Sequence, residues 1–246
     1  MVRSIWRGNL ATRLRIASGL VLLLFAVTHF LNIGLGLFSS DLMHRAQDWR
    51  QAVTRSLPGE LLLYAALLTH AGLALAKLAR RSTLRMPLWE AVQIALGLII
   101  PILLIAHVTY TRIAHEVFAV DDRMAYLVAL IFNSLDGWLQ SLLLLIVWAH
   151  GCMGLHFWLR AERWWQRAIP WLIALAALVP GFALAGFLTE GRRTAAAMAD
   201  ADARAALFAA TNWPDAAAFA ALARVETAIT VVFWSLLALV ALPVLW

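Results

Sequence analysis

Trp148-Ala-His-Gly-Cys-Met-Gly-Leu-His-Phe-Trp-Leu-Arg160 sets an imidazole, His150, in the middle of an apolar run, with small Gly151 and Gly154 beside it. An ionisable group inside a run that crosses hydrocarbon costs free energy unless something compensates, so it marks function by default. Three other apolar runs carry one such residue each: His29, His70 and His107. The rest of the chain reads as a scaffold that brings these four rings together.

Composition sets the solvent. Of 246 residues, 63% are hydrophobic and only 14% charged, more apolar surface than a soluble domain of this size needs. The net charge of +6 invites a nucleic-acid reading. The basic residues sit at the ends of apolar runs, however, as topology signals do, and nucleic acid is discounted as a partner. A single cysteine, Cys152, leaves no disulfide framework and no cysteine-based metal cluster, and there is no Cys-x-x-Cys-His for covalent haem attachment. The first apolar run follows a basic N-terminus without a small-residue cleavage site and reads as a retained span.

Six apolar segments reach the roughly 20 residues that a spanning helix requires, at about 16–38, 60–78, 88–111, 137–159, 169–188 and 225–246. The expected fold class is therefore all-α, a polytopic membrane protein, with the first four helices forming an up-down bundle. Pro87 suits the first turn of the third helix, and Pro101 inside that helix predicts a kink. The connection 189–224 is alanine-rich and expected outside the cytoplasm, with a surface helix over about 195–210 and Asn212-Trp213-Pro214 opening another. Arg3, Arg7, Arg13 and Arg15, then Lys77, Arg80, Arg81 and Arg85, then Arg160, Arg163 and Arg167 share one side, with tryptophans at the helix end near Arg160. The positive-inside rule puts that side and both termini in the cytoplasm.

Depth follows from a rise of about 1.5 Å per residue. His29 and His107, on the outward-running first and third helices, fall past the midpoint toward the outer face. His70 and His150, on the inward-running second and fourth, fall at middle-to-inner depth. In an up-down bundle the first helix is diagonal to the third and the second to the fourth, which sorts the rings into an outer pair, His29 with His107, and an inner pair, His70 with His150. Two facing imidazoles per level are the ligand set of a six-coordinate b-type haem, which favours electron transfer over oxygen chemistry. Gly72, Gly151 and Gly154 would let a porphyrin lie close to the helix. Rivals stay open at this stage: interhelical hydrogen bonding by individual histidines, a zinc or copper site, which wants ligands converging at one level, and a histidine proton relay. His156 reads as an interfacial polar residue, His115 and His44 as solvated, and Lys77 as a snorkelling cation.

At these residues the chain resembles the dihaem cytochrome b membrane anchor of succinate dehydrogenases and fumarate reductases over about its first 190 residues. The resemblance is carried by Ser18-Gly-Leu-Val-Leu-Leu-Leu-Phe-Ala-Val-Thr-His29, by Thr69-His70-Ala, by Trp89 through Gln93 with Gly97 and His107-Val-Thr-Tyr110, and by His150-Gly-Cys-Met-Gly-Leu155. It implies two haem b groups, the one farther from the cytoplasm held by His29 and His107 and the nearer one by His70 and His150. It also implies electron exchange between membrane quinone and a cytoplasmic iron–sulfur or flavoprotein subunit, in the inner membrane of a bacterium. Some dihaem members carry a glutamate two residues before the fourth ligand, associated with proton movement; here that position is Trp148. A sixth, histidine-free helix is also extra. It resembles the six-helix anchors that precede ferredoxin and cyclase domains in some bacterial adenylate cyclases, an alternative in which the chain, stopping at Trp246, is a redox-sensing module of something longer. A haem-free structural anchor is the third alternative. Trp89, Glu90, Tyr110 and His156 are the candidates for contact with quinone. No catalytic acid, base or nucleophile is identified.

Overall fold

A computed structural model describes residues 6, 8–83, 85–132 and 134–245; Arg3, Arg7 and Trp246, used above for topology, lie outside the described residues. Those residues form helices and connections, with no strand among them. Six helices are long and apolar enough to cross a membrane, and this is a multi-pass membrane protein by that measure. The first span is α1, Leu10–Gly34, prolonged by a 3-10 turn to Leu37. A short amphipathic helix follows, α2 (Ser40–Thr54), and then the second span, α3 (Leu57–Ala79). The third is α4 (Leu88–Val108), which passes through a π-helical turn, Thr109–Ile113, into α5 (Ala114–Phe118). Next come a short helix, α6 (Met124–Ile131), the fourth span α7 (Leu135–Leu159) and the fifth, α8 (Arg163–Ala199). Last are α9 (Ala201–Thr211) and the sixth span, α10 (Ala216–Leu245).

Local chemistry explains most starts. The side chains of Asn9, Ser39, Ser56, Ser134 and Asp200 each accept a backbone N–H of the first turn that would otherwise lack a partner. Pro87 stands one residue ahead of α4 as its cap, outside the first turn. The helices overrun the apolar segments at several ends. α8 continues eleven residues past the expected end of the fifth span, and α10 begins nine before the expected start of the sixth. Alanine favours helix whatever the solvent, so the alanine-rich connection became the projecting end of α8, then α9, then the start of α10. Asp200 breaks the first join as the cap of α9, and Asn212, in the left-handed region at φ 47°, breaks the second. α2 and α6 lay unseen in segments that read only as polar and acidic.

The histidine-bearing helices α1, α3, α4 and α7 pack in pairs, α1 with α3, α4 with α7, and α1 with α7. α8 lies against α1 and α7, and α10 against both α3 and α4. The α1–α8 crossing is close because glycine lines it: a Cβ at Gly186 would stand 2.1 Å from the Ile33 carbonyl oxygen, and one at Gly34 would strike the Phe182 ring. Small residues are how helices approach in a membrane, where no hydrophobic effect drives them together. At the end of the bundle opposite the N-terminus, α2, α6 and α9 form a cap. Buried Glu190 of α8 accepts from the Ser40 hydroxyl at 2.9 Å and pairs with Arg193, which also donates to the Gly36 carbonyl at 2.7 Å. Arg55 meets buried Asp122 at 2.5 Å, and the Tyr126 hydroxyl is enclosed without a partner, its pKa pushed up to about 12 first by burial.

Candidate functional site: two facing histidine pairs

The diagonal partners approach one another at both levels. The His29 and His107 rings lie 6.2 Å apart between centroids, inclined at 59°. The His70 and His150 rings also lie 6.2 Å apart, inclined at 85°. Each pair draws its members from helices that are not neighbours in the packing, so the rings meet across the bundle interior.

The inner pair rests on glycines. A Cβ at Gly19 of α1 would come within 2.9 Å of the His70 Cε1, and one at Gly97 of α4 within 3.0 Å of the His150 Cε1. His70 Nδ1 lies 3.0 Å from the backbone carbonyl oxygen of Arg15, one helical turn before Gly19. Donation of an Nδ1–H to that carbonyl fixes the tautomer and leaves Nε2 as the free lone pair. His150 is steadied through its main chain, whose carbonyl accepts from the Gln93 amide at 3.1 Å, while its Nδ1 is enclosed without a partner. Pro101 has no N–H, so the Gly97 carbonyl one turn earlier lacks its usual intrahelical donor; the proline and the ring seat occupy the same turns of α4.

The outer pair is held differently. His29 stacks on Phe25, with centroids 5.8 Å apart and an inclination of 15°, and lies 6.0 Å from Phe30. The His107 carbonyl accepts from the Thr111 hydroxyl at 2.5 Å, within the π-helical turn that begins two residues later. Single π turns of this kind recur at functional sites. Nδ1 of both His29 and His107 is enclosed and without a hydrogen-bond partner, although the His107 ring has the Gln140 side chain as a polar neighbour. A buried polar nitrogen in that state is uncommon and demands a reason.

Neither a protein-family model, nor a curated protein, nor a solved structure matches this chain. Geometry alone therefore discriminates between the rivals. Among the described residues no three of His, Cys, Asp or Glu converge on one point, whereas a zinc or copper cage wants three or four ligands at one level. The arrangement provides facing pairs instead.

Several secondary expectations change. Gly151 meets Leu23 and Gly154 meets the Gln93 amide, while Gly72 faces open space; the glycines next to the histidines in sequence are not those under the rings. Gly19 and Gly97, both within the stretches that carry the resemblance, left a further signal of this role. Each lies ten residues before the outer histidine of its own helix, about 15 Å of rise, which is the spacing between the two levels. α1 with α3 and α4 with α7 are thus two copies of one device: a helix carrying an outer ring and an inner seat, packed on a helix carrying the inner ring. His115 is not solvated, its Nδ1 lying 2.8 Å from the Val120 carbonyl oxygen just after α5, and His44, within α2 and not a loop, has an enclosed Nε2. Lys77 does not simply snorkel, because its ammonium and the Arg81 guanidinium both reach Glu90, at 3.4 and 2.8 Å.

The other quinone candidates are likewise engaged. Trp89 packs on Phe157 at 4.4 Å, with Arg160 lying 5.5 Å over both rings. His156 Nδ1 accepts from the Trp165 indole at 3.2 Å, and Tyr110 lies in the π-helical turn beside Glu226 of α10. Trp148, at the position where some dihaem members carry glutamate, donates to the Ala176 carbonyl at 2.8 Å and ties α7 to α8.

Proposed function

We propose that the chain is a dihaem b-type cytochrome module, similar to the anchors of succinate dehydrogenases and fumarate reductases, that passes electrons between membrane quinone and a cytoplasmic iron–sulfur partner. The observation that carries this reading is the equal 6.2 Å separation of the two facing ring pairs. A metal–imidazole bond is about 2.0–2.1 Å; adding ~1 Å from each ligating nitrogen to its ring centre puts two imidazoles across one metal at roughly 6 Å. Aromatic rings that only pack reach the same separation, as Trp213 and Phe219 do at 6.2 Å; what sets these two pairs apart is that both members are histidines, one from each of four spans, matched across the bundle at two levels. The glycine seats fit the same picture.

On this reading the haem, when bound, supplies one-electron chemistry at an iron with no open coordination position. The chain's work is to hold and tune. His29 with His107, and His70 with His150, would hold the two groups. The Arg15 carbonyl sets the tautomer and basicity of His70. Two levels about 15 Å apart divide a hydrocarbon core of about 30 Å into two shorter steps. The basic residues at the end carrying Lys77, Arg80, Arg81 and Arg160 belong on the cytoplasmic side by the positive-inside rule and would face an acidic partner there.

The test is spectroscopic. The purified chain is expected to hold two haem b per polypeptide, low-spin in both oxidation states and reducible by a quinol analogue. A colourless protein, or a high-spin spectrum from a five-coordinate iron, would sink the proposal.

A further inference from the structure

Beside the outer pair, α2 and its C-cap residue present three arginines, and their fates differ. Arg45 pairs with Asp41 at 2.6 Å and Arg55 with Asp122 at 2.5 Å. Arg50 makes no ion pair among the described residues. The other carboxylate on its helix, Asp48, meets Arg123 at 3.3 Å. What Arg50 has is a long hydrogen bond from Nε to the Asn32 side-chain oxygen, 3.3 Å, and the face of Phe25 at 5.8 Å. Asn32 itself is locked, its amide donating to the Met43 carbonyl at 2.7 Å. The guanidinium is nevertheless largely withdrawn from water. Its pKa is lowered to about 10, first by burial and then by Arg55.

A charge held in that way wants a counter-ion; the carboxylate that acts on it, Asp122, is engaged with Arg55 and makes no ion pair with Arg50. Arg50 also lines a cavity of about 450 Å³, with Thr28 and Asn32 as its other polar members and Leu31, Leu35 and Phe182 among its apolar ones. Its lining comes from α1 and the turn that prolongs it, from α2 and from α8, and does not include His29. Phe25 bridges the two residues, stacked on His29 and capped by Arg50, and the guanidinium is within electrostatic reach of both His29 and His107. A partly buried cation with no ion pair among the described residues, joined to His29 through Phe25, suits the acidic arm of a flat group held by the histidine pair.

We infer that Arg50, oriented by Asn32, binds a carboxylate side arm of the tetrapyrrole held between His29 and His107. This rests on the haem reading above and adds to it a named anchor on α2, a segment outside the four helices that carry the ligands. Charge-assisted hydrogen bonds of this kind are the stronger ones.

The experiment is a cycle that crosses a protein change with a ligand change. The full chain and its Arg50→Gln and Arg50→Lys variants are loaded with haem b and, separately, with its dimethyl ester, in which both carboxylates are neutral. Release of the outer haem to an excess of apomyoglobin is then timed, with the inner haem as internal reference. With native haem, Arg50→Gln is expected to release the outer group about tenfold faster, and Arg50→Lys to fall between the two. With the ester, all three chains should release it at similar rates. An equal acceleration by Arg50→Gln with both ligands would overturn the inference, because Arg50 would then act on packing and not on the carboxylate. Failure of the unaltered chain to take up bis-histidine haem at all would overturn the parent reading, a separate and recognisable result.

Discussion

The outer and inner ring pairs share one separation and reach it by opposite means. At the inner level, side chains are removed: Gly19 and Gly97 leave hollows into which His70 and His150 settle, and the exposed main chain of α1 supplies the bond to His70 Nδ1. At the outer level, side chains are added. Phe25 and Phe30 flank His29, a π-helical turn follows His107, and α2, α6 and α9 close over the end with buried Met43, Tyr126 and Val128. The inner rim by contrast stays open and basic, its Glu90 shared between Lys77 and Arg81. A ring can be fixed by hollowing out a neighbouring helix or by building a wall around it. The two solutions should fail differently.

The largest expected effect separates the pairs outright. If the pairs hold haem as proposed, leucine in place of His29 or His107 should leave about one haem of two, the inner one, and leucine in place of His70 or His150 should leave only the outer. Haem stoichiometry and the split of the α-band at low temperature read this directly. If a single replacement emptied both levels, the two sites would not be independent and the comparison would break.

A smaller effect tests the hollows. Alanine at Gly19 puts a methyl within 2.9 Å of His70 Cε1, and alanine at Gly97 puts one within 3.0 Å of His150 Cε1. Overpacking costs about 1–3 kcal/mol, enough to weaken the inner site about tenfold or more while the outer keeps its affinity. The low-spin electron paramagnetic resonance signal of the inner haem should move with the tilted ring. Unchanged inner signals in both variants would remove the glycines from the site.

The smallest effect lies at the rim. Glu90→Gln loses partners that are themselves partly solvated, so at most ~1 kcal/mol of stability is at stake. The thermal midpoint should fall slightly and less at high salt. A large fall, or loss of the inner haem, would mean that the open rim is as structural as the closed cap.

Much of this architecture is written locally. Six long apolar runs can hardly be anything but helices across a membrane, because lipid offers the backbone no other partner. A rise of about 1.5 Å per residue turns sequence position into depth, so the histidines could be sorted into two levels before any fold was in view. The polar segments were harder to read. α2 is a weakly apolar helix whose Met43 and Gln47 become buried only once α1 and the neighbouring cap helices are in place, and the alanine-rich connection carried helix propensity without saying where one helix ended.

What the chain determined on its own is therefore its solvent, its spans and the height of each imidazole, since these depend on composition and a fixed helical rise. Which glycine lies under which ring, that Arg55 has an ion pair and Arg50 none among the described residues, and that His44 is covered were decided by tertiary structure alone. These are relations between helices, set by rotation and crossing, and no periodicity within a single helix encodes them.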